Sequence, residues 1–253
     1  MVLALGSRLG GNLSKRLIGD RMLISWSRSP GMRHPISGIA GPPNFSANKR
    51  KGAQILHTVF FITHPDVRID PSVPVPEWPL KERGQARMRA LAARPWVQGV
   101  RSIFASGERK ARDAAQLLAD GLGLDGYRII GSLAENDRSA TGYLPQQEFE
   151  AMVDAFFAQP LRSVRGWETA AHAQTRIIQA IEVVLRTTEM GDIAIVGHGG
   201  TGTLLYCRLA DVPISRHHEQ PPTNGGNWFA FDRTSRKLLH ARWRSIDAPI
   251  SEG

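Results

Sequence analysis

The sequence predicts an α/β protein with a mostly parallel central sheet, helices on both faces of that sheet and a C-terminal β-hairpin. Apolar runs of strand length, such as residues 57–63, alternate with amphipathic segments of helical length. Continuous apolar strands separated by helices are typical of parallel sheets that are buried on both faces. A chain of 253 residues that is 42% hydrophobic is long enough to bury one such core and to carry an additional segment.

The order of the elements follows from local patterns. The predicted strands are 57–63, 100–106, 127–130 and 193–196, and the predicted helices are 80–93, 107–122, 146–160 and 167–188. A glycine turn and a helix follow residue 198, and the stretch 227–243 has the pattern of a β-hairpin. The helix 167–188 has the clearest periodicity, because it carries an apolar stripe that includes Ile177 and Ile181.

The positive charge of the chain is concentrated at its N-terminal end. The formal net charge is +9 at pH 7. Residues 1–52 hold nine Lys and Arg against the single acid Asp20, which is +8. The other 201 residues hold 23 basic and 22 acidic side chains, which is +1. The predicted domain is therefore nearly neutral, and the composition does not indicate a basic face for nucleic acid.

The segment 1–54 is expected to be a basic N-terminal extension that precedes the predicted domain at 55–253. It is rich in Gly, Ser, Arg and Pro and shows no sustained periodicity. Three interpretations remain open: a presequence of the mitochondrial type, a basic arm that contacts nucleic acid or anionic lipid, or translated sequence upstream of a later start at Met22 or Met32. We expect the segment to be disordered or targeting-like, and no function is inferred from it.

Cysteine content and hydropathy predict the environment of the protein. The single cysteine, Cys207, excludes an internal disulfide and a cysteine-based zinc site. One unpaired cysteine fits a reducing compartment, so we expect a cytoplasmic protein. No run of 18 apolar residues occurs, and a membrane partner is therefore not expected.

Two histidines follow two predicted parallel strands at the point where each strand ends. His64 follows the strand 57–63, and His198 follows the strand 193–196 and precedes two glycines. Because the carboxyl ends of parallel strands lie at one edge of a sheet, we expect the two imidazoles to share a site. The glycines allow a ligand to approach the backbone, and the following helix N-terminus favours an anion. The P-loop motif of nucleotide-binding proteins, G-x-x-x-x-G-K-[ST], is absent from the sequence.

Charged side chains follow two further predicted strands. Arg109, Lys110 and Arg112 lie in the first turns of a helix, where cations oppose the helix dipole. They are either part of a solvated helix face or a binding feature for phosphate, and the residues alone leave both interpretations open. The loop after the third strand contains Glu135 and Arg138, which in isolation have the pattern of solvated loop charges.

In chain order these features are a histidine, a cluster of cations, a carboxylate and a second histidine. With their flanking motifs they resemble the histidine phosphatase superfamily, also called the phosphoglycerate mutase-like family. That family has Arg-His-Gly after its first strand, then PLTxxGxxQAxxLA, SSxLxRAxxTAxxLA, Leu-x-Glu and VSHGG. The corresponding stretches here are ITHP, PLKERGQARMRALA, ASGERKARDAAQLLA, LAE and VGHGG. The resemblance runs from about residue 55 to residue 232, and the set of motifs is specific although each motif is short.

The resemblance implies roles for three residues. His64 would be the nucleophile that carries the phosphoryl group, and its attacking nitrogen must be deprotonated. Glu135 would be the general acid and base, and His198 would donate to the phosphoryl oxygens in the transition state. The resemblance implies neither a metal ion nor a cofactor.

The sequence departs from the family pattern where phosphate is bound. Thr63 replaces the arginine before the nucleophile, and Pro65 replaces the glycine after it. The arginine of the second motif falls on Lys110, which would bind phosphate as a point charge rather than bidentately. Either another arginine supplies the lost charge, or the enzyme is slow. The candidates are Arg68, Arg112 and Arg138. Arg68 is preferred because it lies four residues beyond the nucleophile.

The leading prediction is a metal-independent phosphatase that hydrolyses a phosphomonoester through phosphorylated His64. Its substrate would be a small phosphorylated molecule or a phosphoprotein, with no nucleic-acid partner. One alternative is a weak or inactive relative that binds a phosphorylated ligand, which the loss of arginine at Thr63 favours. Another is a phosphoglycerate mutase-like phosphotransferase, although the longer insertions of the family's mutases are missing. Substrate identity and oligomeric state are not predicted.

Overall fold

The computed structural model describes residues 57–188 and 191–248. This part of the chain contains most of the predicted domain, whereas the expected N-terminal extension at 1–54 lies outside the described residues. Strands and helices alternate along the described chain as the sequence predicts.

Six strands of the described chain form one sheet. They are β1 (Thr58–Thr63), β2 (Val100–Ala105), β3 (Arg128–Ile129), β4 (Asp192–Gly197), β5 (Asn227–Asp232) and β6 (Arg244–Ser245). Their order across the sheet is β3-β2-β4-β1-β5-β6. The pairs β2–β3, β2–β4 and β1–β4 are parallel, and β1–β5 and β5–β6 are antiparallel. The prediction of a mostly parallel sheet is confirmed.

The helices lie close to their predicted positions. They are α1 (Glu82–Ala92), α2 (Arg109–Leu122), α3 (Gln146–Ala158), α4 (Ala170–Arg186) and α5 (Gly199–Leu209). The start of α4 is set by Thr169, whose side chain accepts a hydrogen bond from the backbone N–H of His172. Within the described ranges, no helix combines the length and apolarity needed to cross a membrane.

The alternation of side chains along β1 contributes to a core on each face of the sheet. Phe60 and Ile62 belong to one buried cluster, which includes Leu118 and other side chains of α1 and α2. Val59 and Phe61 belong to a second buried cluster with side chains of α4 and α5. Because successive side chains of a strand point to opposite faces, the four consecutive apolar residues 59–62 supply two side chains to each cluster.

The register of β1 and β4 brings their carboxyl ends together. Thr63 lies opposite Gly197 in the parallel ladder, and the N–H of His64 donates to the carbonyl of Gly197 over 3.1 Å. A Cβ at position 197 would lie 2.7 Å from the ring of Phe61, so glycine allows this close packing. His198 follows Gly197 directly, and the two histidines therefore lie side by side at one edge of the sheet.

The C-terminal hairpin differs in detail from the predicted stretch 227–243. The strand β5 lies inside that stretch, but its partner β6 begins just beyond it, at Arg244. All six residues of β5 are buried, because the strand lies between β1 and β6 rather than in an isolated two-stranded hairpin. The tertiary pairing with β1 therefore makes β5 a sheet strand with an interior position.

The backbone of His64 depends on a glycine across the loop. Gly225 has a φ of 73°, and a Cβ at this position would overlap the carbonyl oxygen of His64. The variant Gly225→Ala is expected to lose more than about 1 kcal/mol of unfolding free energy, because left-handed strain and a backbone clash add together. Urea unfolding measures this loss. Gly123→Ala is the matched control, since Gly123 has a φ of 65° with open space around it. Equal losses in the two variants would contradict the predicted clash.

Candidate active site

One ring nitrogen of His64 is hydrogen-bonded, and the other has no hydrogen-bond partner among the described residues. Its Nδ1 lies 3.2 Å from the carbonyl oxygen of Pro65. Because a carbonyl oxygen only accepts, Nδ1 carries the proton in this contact and Nε2 keeps its lone pair. Burial, followed by the positive charges of His198 and Lys110, lowers the pKa of His64 to about 3. The half-buried ring is therefore neutral at pH 7, as a nucleophile must be.

His198 is fully buried beside His64. The ring centroids are 5.2 Å apart and the ring planes are inclined by 69°. Neither ring nitrogen of His198 has a hydrogen-bond partner among the described residues, and Nε2 lies 3.4 Å from Oε1 of Glu108. Burial lowers the pKa of His198 to about 4, although the negative charge of Glu108 opposes this change. Since buried polar groups are normally paired, this imidazole is available to a ligand.

Glu108 and Lys110 form a buried ion pair next to the two histidines. Oε2 of Glu108 accepts a hydrogen bond from Nζ of Lys110 over 2.5 Å, and Oε1 accepts one from the N–H of Glu135 over 2.9 Å. Burial alone would raise the pKa of Glu108. The positive charges of protonated His198 and of Lys110, together with these hydrogen bonds, lower that pKa to about 2. Because both histidines are neutral at pH 7, the four side chains together carry no net charge.

Glu135 lies against the N-terminus of α5. Its Oε2 accepts from the N–H of Gly200 over 3.0 Å, and its Oε1 accepts from the N–H of Thr201 over 2.8 Å. A Cβ at position 200 would lie 2.7 Å from Oε1, so the glycine permits this approach. Free N–H groups at a helix N-terminus attract anions, and two of them here bind a carboxylate of the protein itself. The same helix end carries His198 as its N-cap residue.

Arg176 of α4 holds the loop that carries Glu135. Its guanidinium donates to the carbonyls of Ser132, Ala134 and Glu135 at distances of 2.8, 2.9 and 3.1 Å. It also forms an ion pair of 2.7 Å with Glu168, whose side chain is 8% exposed. A planar group with five donors can bind several carbonyls and one carboxylate at once, and it thereby fixes the position of the loop.

A cavity of about 520 Å³ opens beside Glu108 and Glu135. The proline-rich loop at 74–76 and the loop after β3 form its walls. Asn136 lines this cavity, is 8% exposed, and has an Nδ2 without a hydrogen-bond partner among the described residues. The volume and the mixture of apolar walls with a few polar groups are typical of sites for small organic molecules.

Thr63, where the motif would have arginine, is bonded within the fold. Its hydroxyl donates to Oε1 of Gln220 over 2.7 Å and accepts from the backbone N–H of Asn227 over 3.0 Å. Nδ2 of Asn227 donates to the same Gln220 oxygen over 3.0 Å. Thr63 therefore connects the end of β1 to the start of β5 and brings no charge to the site.

Arg138 is the candidate arginine for which the structure shows a link to the histidines. It lines the cavity, and its positive charge contributes to the lowered pKa of His198. Arg112 instead lies 3.9 Å from a carboxylate oxygen of Glu77. Arg68 is exposed and makes no hydrogen bond or ion pair with the described residues of the site.

Sequence reasoning did not identify Glu108 or Arg176 as site residues. The available signal for Glu108 was an acid two positions before Lys110, just after a predicted strand. No local signal pointed to Arg176, because the backbone it binds at Glu135 lies 41 positions earlier in the chain.

The chain belongs to the histidine phosphatase superfamily (branch 1), whose family model matches residues 73–243. The matched range begins after His64 and includes Lys110, Glu135 and His198. This finding confirms the predicted superfamily and supports the predicted phosphatase enzyme. Among curated protein sequences, none matches the chain.

Solved structures show the same fold at low sequence identity. A mycobacterial glucosyl-3-phosphoglycerate phosphatase in complex with inorganic phosphate has a TM-score of 0.60 and 17% identity, over 76% of this chain and 100% of its own. Bacillus stearothermophilus YhfR has a TM-score of 0.62 and 19% identity, over 74% and 96%. The α-ribazole phosphatase from Shigella flexneri has a TM-score of 0.56 and 18% identity, over 77% and 99%.

The buried imidazole of His198 makes the fold sensitive to acid. Its pKa is about 4 in the folded protein and 6.5 when unperturbed, so between these values the unfolded chain binds a proton that the folded chain does not. The free energy of unfolding therefore falls as the pH drops through this window. The lowered pKa of His64 has the same effect on stability. The stabilisation that comes from the lowered pKa of Glu108 is lost only as the pH falls below the ordinary pKa of 4.5.

The variant His198→Gln is expected to remove about 2–3 kcal/mol of the decline in stability between pH 6.5 and 4.5, because glutamine does not titrate. Urea unfolding at several pH values measures the slope. His217→Gln is the control, since His217 is exposed and its substitution should leave the slope unchanged. If His198→Gln loses unfolding free energy with falling pH as steeply as the parent protein does, another group causes the decline in stability.

Proposed function

We propose that the protein is a metal-independent phosphatase that hydrolyses a phosphomonoester through a phosphohistidine at His64. The observation that carries this proposal is the state of the His64 ring. Nδ1 is bound to the carbonyl of Pro65, Nε2 has no hydrogen-bond partner within the described part of the chain, and the ring is neutral at pH 7. A neutral imidazole held in one tautomer beside a second, unpartnered imidazole is suited to attack phosphorus.

In the first step, Nε2 of His64 forms a bond to phosphorus while the bond from phosphorus to the ester oxygen breaks. The leaving oxygen takes a proton from the carboxyl of Glu135, and the carboxylate that forms is the state in which the N–H groups of Gly200 and Thr201 bind this side chain. The proximity of Glu135 to the N-terminus of α5 supports this assignment, because it places the carboxyl at the same helix end as His198.

In the second step, water attacks phosphorus and transfers a proton to the carboxylate of Glu135. The bond between Nε2 and phosphorus breaks, and His64 returns to its neutral state. Inorganic phosphate leaves, and the carboxyl is ready for another cycle. The nucleophile in each step is supplied by the protein or by water, so the mechanism needs no metal-bound hydroxide.

The developing charge on the phosphoryl oxygens would be stabilised by groups of the candidate site. Lys110 has three N–H donors, of which two bind Val75 and Glu108, so one remains for a ligand. The ring of His198 has no partner among the described residues and supplies a further donor. Arg138 adds positive charge from the cavity wall. Fixed donors of this kind act strongly because they need no reorganisation during the reaction.

The leaving group would occupy the cavity of about 520 Å³ beside Glu108 and Glu135. Its size supports a small organic phosphomonoester rather than a folded phosphoprotein. The similar structures point in the same direction, since they include phosphatases of glucosyl-3-phosphoglycerate and of α-ribazole phosphate esters. The free amide of Asn136 would donate to a polar group of the leaving molecule.

A second candidate function is favoured by the ion pair of Glu108 and Lys110. This pair neutralises the one buried cation next to the two histidines in the described chain. A site of this charge would bind a phosphorylated ligand and transfer its phosphoryl group slowly or not at all. Turnover by the purified protein separates this function from the first.

The test is hydrolysis of p-nitrophenyl phosphate by the full chain with EDTA present, beside the variant His64→Ala. We expect turnover that survives EDTA and falls by at least about 10³-fold in the variant, because no other group replaces the nucleophile. Rapid quenching at alkaline pH should trap a phosphoryl group on the parent and not on the variant.

His217→Ala is the matched control, because it removes an exposed histidine outside the site. Its turnover should equal that of the parent. Activity retained by His64→Ala would contradict covalent catalysis at this residue. If the parent binds inorganic phosphate without turnover or a trapped intermediate, the second candidate function is correct instead.

A further inference from the structure

The position of Glu108 has a direct consequence for any phosphoryl group at His64. Such a group would lie next to His198, whose ring centroid is 5.2 Å from that of His64, and near Lys110, whose positive charge contributes to the lowered pKa of His64. Glu108 contacts both: its Oε2 lies 2.5 Å from Nζ of Lys110, and its Oε1 lies 3.4 Å from Nε2 of His198. A phosphoryl group that reaches these two donors therefore also meets the carboxylate of Glu108.

The carboxylate has free acceptor capacity. Two carboxylate oxygens provide about four lone-pair directions, and close hydrogen bonds from Lys110 and from the N–H of Glu135 use two of them. Glu108 stays ionised at neutral pH, because its pKa is about 2. It can therefore accept one more hydrogen bond, and it cannot donate one.

An acceptor that cannot donate distinguishes between the protonation states of phosphate. A fully ionised phosphoryl group has only acceptor oxygens, so its contact with Glu108 is repulsive and lacks a proton between the two oxygens. A singly protonated group has one P–OH, which can donate to the carboxylate as a charge-assisted hydrogen bond.

We propose that Glu108 is a specificity-determining residue that accepts a hydrogen bond from a protonated phosphoryl oxygen, so that the site selects the monoanion of its substrate. The inference rests on the proposed function in one respect, because it places the phosphoryl group at His64. It assigns a substrate class, phosphomonoesters that bind with one proton retained. Phosphomonoesters lose that proton with a pKa of about 6, so the selected form is present under mildly acidic conditions.

The titratable and charged groups around Glu108 come from several elements of the fold. They are His64 from the end of β1, His198 from the end of β4, Lys110 from α2, Arg176 from α4, and Glu135 and Arg138 from the loop after β3. The two histidines are neutral above about pH 4. Between pH 6 and pH 8 the binding of phosphate is therefore expected to follow the protonation of the ligand itself.

The test compares inorganic phosphate with sulfate by calorimetric titration of the full chain. The two anions have similar size, but sulfate carries no proton in this pH range and cannot donate to Glu108. At pH 6 the parent should bind phosphate at least about tenfold more tightly than sulfate, because one hydrogen bond to a charged group has this effect. From pH 6 to pH 8 the affinity for phosphate should fall, and the affinity for sulfate should stay constant.

The variant Glu108→Gln should lose this preference. Its amide can donate to an unprotonated oxygen, so sulfate should bind within about threefold of phosphate. Glu77→Gln is the matched control, since Glu77 is exposed and lies 3.9 Å from Arg112 rather than beside the histidines. The control should keep the parental preference and its pH dependence.

Three results would overturn the inference: equal binding of the two anions by the parent, an unchanged preference in Glu108→Gln, or no binding of either anion by the parent. The pH dependence of the parent alone decides the question if Glu108→Gln does not fold. The proposed function is tested separately, because turnover of p-nitrophenyl phosphate in His64→Ala depends on the nucleophile. Retained turnover in that variant would contradict phosphohistidine formation without altering the anion preference.

Discussion

The parallel pairing of β1 with β4 is the contact on which the candidate site depends. Thr63 lies opposite Gly197, and these are the last residues of their strands. The residue that follows each strand is a histidine, so the two histidines lie at the same level of the sheet. The two strands are buried on both faces, and a shift of one residue would turn every side chain of β1 to the wrong core. The packing that stabilises the fold therefore also sets the distance between the two imidazoles.

The charges around these imidazoles distinguish this protein from a simple anion site. Two carboxylates, Glu108 and Glu135, occupy positions that an incoming phosphate would approach, one on Lys110 and one on the N-terminus of α5. Each occupies hydrogen-bond donors that would otherwise attract a phosphoryl oxygen. Because both histidines are neutral at pH 7 and Glu108 pairs with Lys110, the candidate site has little net charge, and its ligand must be compatible with nearby negative charge.

Family membership and site chemistry are related but separate conclusions. The family model covers residues 73–243, and structures with 17–19% identity share the fold over about three quarters of the chain. The residue before His64 is nevertheless a threonine that bonds to Gln220 and Asn227 within the fold. A fold can persist while the charges of its site change, because core packing and site electrostatics involve different side chains.

The sequence by itself determined the fold class, the positions of the main elements and the pair of strand-end histidines. These features are encoded locally, in apolar runs such as β1 and in the helical period of α4. Only the tertiary structure decided that Glu108 pairs with Lys110, that Arg176 holds the loop of Glu135, and that Arg138 lines the cavity whereas Arg68 is exposed. These contacts depend on directions of side chains across separate elements, and no periodicity within one segment encodes them.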